Sequence, residues 1–291
     1  MERPPEPPRE HPVNANVAIR ACSSPERSLG LFASQRMTKG LKIMSEEPLL
    51  IDESRQDMIA TIDQDILALS PAAKALITRM YAGPLDIVPV LTGQHVREQR
   101  EQLAVASARL QQIVRLNSVE GAGTGCILSP ALSSINRECI PNAFAYYNWE
   151  TGLVTLHALR DIQRDEEVTI SYLQDDVYYD SNELCSPDNE AHASSEHRRS
   201  QMKVLRDEIA EHYRSISPTR DETMAAIAKV RDLIGVLKEE GLFCLEMALR
   251  IMEQSRLHGL LGDREGAEIA SRRSMIVQRL CIGFEHPSCR Q

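Results

Sequence analysis

The period of apolar positions changes along the chain, and each change predicts a different element. From Val17 to Asp52 the apolar runs are short and broken by turns. Val17-Ala18-Ile19, Leu31-Phe32-Ala33, Ile43-Met44 and Leu49-Leu50-Ile51 read as strands, with Ser23-Ser24-Pro25 and Thr38-Lys39-Gly40 as turns. From about residue 54 the spacing becomes helical: Met58, Ile59, Ile62, Ile66 and Leu69 share one face. Ser70-Pro71 is a helix start, and 93–116 carries a further amphipathic helix. Residues 54–117 therefore read as a helical insertion. Strand alternation returns at 143–148 and 153–159 around the turn Glu150-Thr151-Gly152, a hairpin, and ends with Val168 to Tyr172. Residues 174–197 are polar and read as a linker. Helical spacing then fills 198–214, 219–240, 242–260 and 263–281. The expected class is α+β: small sheets from 17–52 and 126–172, a helical insertion, and an all-helical C-terminal region.

Composition narrows the function. The chain has 291 residues, 42% hydrophobic and 26% charged, which suits a folded core. Its net charge of -9 argues against binding to a nucleic-acid backbone. No apolar run is long enough for a membrane-spanning helix. Five prolines in the first 12 residues make 1–16 an extended tail, without the apolar centre of a secretory signal. Seven cysteines without a C-x-x-C pair fit free thiols in a reducing compartment, so an intracellular location, nucleus or cytoplasm, is expected. The G-A-G-T-G stretch at 121–125 is preceded by a helix and soon followed by Pro130, which is not the context of a phosphate-binding loop.

Candidate chemistry concentrates in two segments. One is Asn136-Arg137-Glu138-Cys139-Ile140-Pro141-Asn142; the other is Asp165-Glu166-Glu167-Val168-Thr169-Ile170-Ser171-Tyr172. Upstream stands Ser28-Leu29-Gly30-Leu31-Phe32-Ala33, followed by the Lys39-Gly40 turn and Glu47-Pro48-Leu49-Leu50. In this order the segments resemble the SET domain of protein lysine methyltransferases, with its G-x-G, N-H-x-C-x-P-N and G-E-E-x-T-x-x-Y motifs. The likeness covers 17–173. It is nearest to the branch that includes the SET-and-MYND proteins, with the MYND finger missing and 198–291 in the place of the C-terminal helices.

The resemblance implies an S-adenosylmethionine-dependent N-methyltransferase that acts on a lysine of a histone or another protein. Leu29, Gly30, Asn136, Arg137 and Tyr172 would form the cofactor site. Tyr172 would also be catalytic, its hydroxyl orienting the amine and the transferring methyl group. Asn142 would close a threaded loop around the last strand. In-line transfer requires donor and acceptor to be held on one axis away from water.

The chain departs from the pattern at four places. Arg137 replaces the motif histidine, Ser28 the first glycine, and Asp165 the glycine before Glu166. The cysteine-rich segment after the catalytic tyrosine is absent. Cys139, Cys185, His192 and His197 do not have the spacing of a structural zinc site, so no zinc is expected. The alternative function is a weakly active or inactive SET-fold interaction module whose C-terminal helices recruit a protein partner. On their own, Glu166-Glu167 read as a solvated hairpin end without a catalytic role, and His197-Arg198-Arg199 as the surface of a helix start.

Overall fold

The computed structural model describes residues 11–12, 14–22, 29–80, 96–121, 125–138, 140–170, 190–215 and 217–289. The N-terminal half contains three small sheets. Strands β1 (His11–Pro12), β2 (Val17–Ala21) and β3 (Leu29–Ala33) are followed by β4 (Lys42–Glu46) and β5 (Leu50–Asp52). After the insertion come β6 (Val119–Gly121), β7 (Gly125–Leu128), β8 (Asn136–Arg137), β9 (Ala143–Asn148), β10 (Leu153–Ala158) and β11 (Glu167–Ile170). They assemble as β1-β2-β3-β11-β8, β4-β10-β9 and β5-β7-β6. The α+β class expected from the pattern is the one observed.

Strand β11 is the joint of the first sheet. It runs antiparallel to β3, pairing Glu167 with Phe32 and Val168 with Leu31. Its second half runs parallel to β8, pairing Thr169 with Asn136 and Ile170 with Arg137. Alternation sends Leu31, Ala33, Val168 and Ile170 into one apolar core with Ile135, Leu156 and Ile162. The same alternation leaves Gly30, Asn136 and Glu167 on the opposite face.

The insertion folds as α1 (Arg55–Ala68), α2 (Pro71–Arg79) and α3 (Val96–Asn117). Ser54 and Ser70 cap the first two, their side chains accepting hydrogen bonds from the Asp57 and Ala73 amides. Met58, Ile62, Ile77, Ile113 and Val114 form a second core that closes over Cys126 and Leu128 of β7. Gly121 at the end of β6 pairs with Gly125 at the start of β7 in an antiparallel register.

The C-terminal half consists of α4 (Glu190–Arg214), α5 (Arg220–Glu239), α6 (Leu245–Leu260) and α7 (Arg264–Ile282). Thr219 and Glu222 form a reciprocal capping box on α5. The helices share a core with Leu159, and Phe144 and Tyr146 of β9 pack against it. A Cβ on Gly40 would lie 2.5 Å from Leu280 Cδ2, so the turn before β4 approaches α7 closely, with Gly40 at φ +82. No helix among the described residues is long and apolar enough to cross a membrane.

Three expectations need correction. His11–Pro12 pair with β2, so the end of the 1–16 tail belongs to the sheet. Helix α4 begins at Glu190, inside the segment 174–197 read as a linker. Arg199 is not on a surface: it is 2% exposed, and its Nε lies 3.0 Å from Glu240 Oε1, while Arg198 Nε lies 2.7 Å from Glu240 Oε2. A charge run on a helix usually marks a solvated face. Here a carboxylate 41 residues away draws it inward.

Removing the carboxylate from a buried ion pair costs about 3–5 kcal/mol, whereas an exposed pair contributes about 0–1 kcal/mol. Glu240→Ala is therefore expected to lower the urea midpoint far more than Lys42→Ala, which breaks the exposed Lys42–Glu285 pair. Equal midpoints in the two variants would contradict this account of how α4 and α5 are joined.

Candidate active site

The sequence-selected residues Leu29, Gly30, Asn136 and Arg137 converge where β3, β8 and β11 meet. Asn136 is half-buried. Its Nδ2 lies 2.9 Å from the Leu29 carbonyl, 2.6 Å from Glu167 Oε1 and 3.3 Å from Cys22 Sγ. Cys22 Sγ in turn lies 3.6 Å from Glu167 Oε1. The carbonyl and the carboxylate are acceptors only, so the amide nitrogen of Asn136 must face them. Arg137 is exposed, and its backbone pairs with Ile170 in the parallel ladder. Tyr172, Ser28, Cys139 and Cys185 lie outside the described residues. His197 sits within α4, and among the described residues no group of three or more His, Cys, Asp or Glu side chains is arranged to hold a metal ion.

Gly30 leaves space for its neighbours in a way that spacing alone does not disclose. A Cβ there would come within 2.5 Å of Glu167 Oε1, 2.8 Å of Cys22 Sγ and 3.1 Å of Asn136 Nδ2. The missing side chain makes room for the cluster itself. Glu167, read from sequence as a solvated hairpin end, is thus part of the site. No sequence signal separated it from its neighbour Glu166. The signal is positional: Glu167 stands on the same strand face as Thr169, whose partner across the parallel ladder is Asn136.

Behind the cluster, Asn142 is 1% exposed and clasps β11. Its Nδ2 donates to the Glu167 carbonyl at 2.7 Å and its Oδ1 accepts from the Thr169 amide at 2.8 Å. Its own carbonyl accepts from the Leu159 amide at 2.8 Å.

The turn leading into β11 is also fixed. Asp165 has φ 65, the only positive φ at a described non-glycine residue, so it adopts the left-handed geometry that a glycine would adopt freely. Arg20 Nη1 holds its carboxylate at 2.6 Å, which keeps that carboxyl below its usual range. Partial burial pushes the Glu166 carboxyl up. The Gln163 amide at 2.7 Å, the Arg160 guanidinium at 2.6 Å and Asn142 outweigh it, and the carboxyl is held below the usual glutamate range.

A separate cleft of about 290 Å³ lies between the β4-β10-β9 sheet and the end of α7. Lys42, Asn148, Thr155, His157 and Glu285 line it, and none of the residues around it belongs to the Gly30–Asn136–Glu167 cluster. Burial holds the His157 imidazole below the usual histidine range.

A family model for the SET domain matches residues 28–173, half of the chain. The protein belongs to the SET domain family. Similar solved structures include the SET domain of LSMT bound to lysine and AdoHcy, 14% identical over 97% of this chain and 91% of that one, with a TM-score of 0.33. Rubisco LSMT bound to AdoMet gives 14% identity over 97% and 92% of the two chains, also with a TM-score of 0.33. No curated protein matches the chain in sequence.

The turn yields a pH test. The folded Glu166 carboxyl is depressed, so its stabilisation is present above the unfolded value and is lost as pH falls through the folded one. Glu166→Gln should destabilise the protein at neutral pH, and its stability should converge with wild type as pH falls through and below the usual glutamate range. A difference independent of pH between 7 and 3 would show that the carboxylate charge does not hold the turn.

Proposed function

We propose that the protein is an S-adenosylmethionine-dependent methyltransferase that acts on a lysine side chain of a histone or another protein. Membership of the SET family supports this reading. The observation that carries it is the convergence of Gly30, Asn136 and Glu167 at the joint of β3, β8 and β11. The cluster fits the cofactor chemically. With the Asn136 nitrogen held by the Glu167 carboxylate and the Leu29 carbonyl, the amide oxygen is left as an acceptor near a negative charge, which suits a ligand with a cationic hydrogen-bond donor. The backbone of Leu29, Gly30 and Arg137 would border the same ligand.

When bound, the cofactor would supply an electrophilic methyl group on a sulfonium. The protein would hold a neutral lysine amine in line with it and keep water out. In the sequence, Tyr172 comes two residues after the end of β11. Its proposed role is to orient the amine through its hydroxyl. The compartment that fits is the nucleus or cytoplasm, and zinc is not part of this proposal.

A second reading keeps cofactor binding at this cluster and gives up turnover, with the C-terminal helices serving as a docking surface. Ile269 and Ile276, both exposed and seven residues apart on α7, favour it.

Calorimetric titration with S-adenosylmethionine, followed by transfer of labelled methyl groups to a lysine-peptide panel, separates the readings. The expected result is binding and transfer, with Tyr172→Phe reducing transfer strongly while cofactor affinity stays nearly unchanged. Failure of the folded protein to bind the cofactor would remove the proposal. Binding without transfer would favour the docking reading.

A further inference from the structure

We infer that Glu167 is a positioning residue: it locks the carboxamide of Asn136 so that only its oxygen faces the ligand, and so makes the site selective for a ligand bearing an ammonium group. The inference rests on the function proposed above. It concerns a residue that the motif comparison left without a role.

The argument is one of hydrogen-bond inventory. A carboxamide has two N–H donors on one side and a carbonyl acceptor on the other, and turning it by 180° exchanges them. An asparagine free to turn could present either to a ligand. Asn136 is not free to turn. Its Nδ2 has the Glu167 carboxylate at 2.6 Å and the Leu29 carbonyl at 2.9 Å. Turning it would place Oδ1 against two acceptors, one of them charged. A hydrogen bond to an ionised acceptor is stronger than a neutral one, so the carboxylate is the larger part of the lock. Both donors are engaged, and among the described residues none donates to Oδ1.

Gly30 completes the device. Any side chain there would collide with the Glu167 carboxylate and with Cys22, and would push the carboxylate off Asn136. Glu167 also places a negative charge directly behind the amide. Acceptor and charge together favour a positively charged donor. In the proposed cofactor that group is the α-ammonium of its amino-acid portion. The neutral nucleoside portion gains nothing from the charge.

The test compares two ligands and three proteins. S-adenosylhomocysteine carries the ammonium group; 5′-methylthioadenosine, a nucleoside thioether, lacks it. By calorimetry, Glu167→Ala should weaken S-adenosylhomocysteine binding about tenfold or more and leave 5′-methylthioadenosine binding unchanged; a tenfold loss corresponds to about 1.4 kcal/mol. Glu167→Gln keeps an acceptor for Asn136 and should fall between alanine and wild type. Without any ligand, the Asn136 side-chain NH2 protons should be displaced from random-coil shifts and protected from solvent exchange in wild type, and should move to random-coil shifts with fast solvent exchange in Glu167→Ala. Equal losses for both ligands would mean that Glu167 is merely structural. Wild-type affinity in Glu167→Ala, or unchanged Asn136 signals, would overturn the inference while leaving the proposed function standing. A wild-type protein that binds neither ligand, yet shows the locked Asn136 signals, would instead remove the proposed function.

Discussion

The carboxamide of Asn142 is the contact on which the site depends. Strand β11 is only four residues long and changes partner halfway, from β3 to β8. At the changeover, the Glu167 carbonyl and the Thr169 amide are both met by the side chain of Asn142. A buried backbone group left without a partner costs about 1–3 kcal/mol, so one side chain removes two such penalties. The same residue anchors the end of β10 through the Leu159 amide. With β11 held in this way, Glu167 projects from the strand between Gly30 and Asn136, and the cluster exists.

The parts of this arrangement differ in how readily the sequence discloses them. The helices of the insertion and of the C-terminal region were legible because their apolar faces repeat over many turns. The hairpin of β9 and β10 was legible from alternation about Gly152. The two-residue parallel pairing of β8 with β11 was not, because a contact that short leaves no period. Strand β6 was missed for the same reason, having only three residues. Gly30 and Asn136 stood out through motif resemblance. Glu167 did not, because an acidic pair beside a turn has the same appearance whether it is solvated or engaged. Arg199 shows the converse: its partner Glu240 is distant in sequence, and nothing local marks the pair.

The C-terminal helices are part of the same body as the sheets. Leu159 lies in the helical core, and Gly40 admits Leu280 of α7 where no side chain would fit. Lys39 Nζ sits 3.0 Å from the centre of the Phe243 ring, and Lys42 pairs with Glu285 beyond α7. These contacts hold the turn before β4 and the hairpin of β9 and β10 against the helices. The β4-β10-β9 sheet is therefore covered on one side by α7, whereas the Gly30–Asn136–Glu167 face is built by the β1-β2-β3-β11-β8 sheet.

The central proposal is that this face, and not the cleft beside His157, would receive S-adenosylmethionine. Backbone amide NMR during titration with S-adenosylhomocysteine tests it directly. The account predicts the largest shifts at Leu29, Gly30, Asn136 and Arg137, with Lys42, Thr155 and His157 little changed. Largest shifts around Lys42 and His157, with Gly30 and Asn136 unmoved, would contradict it.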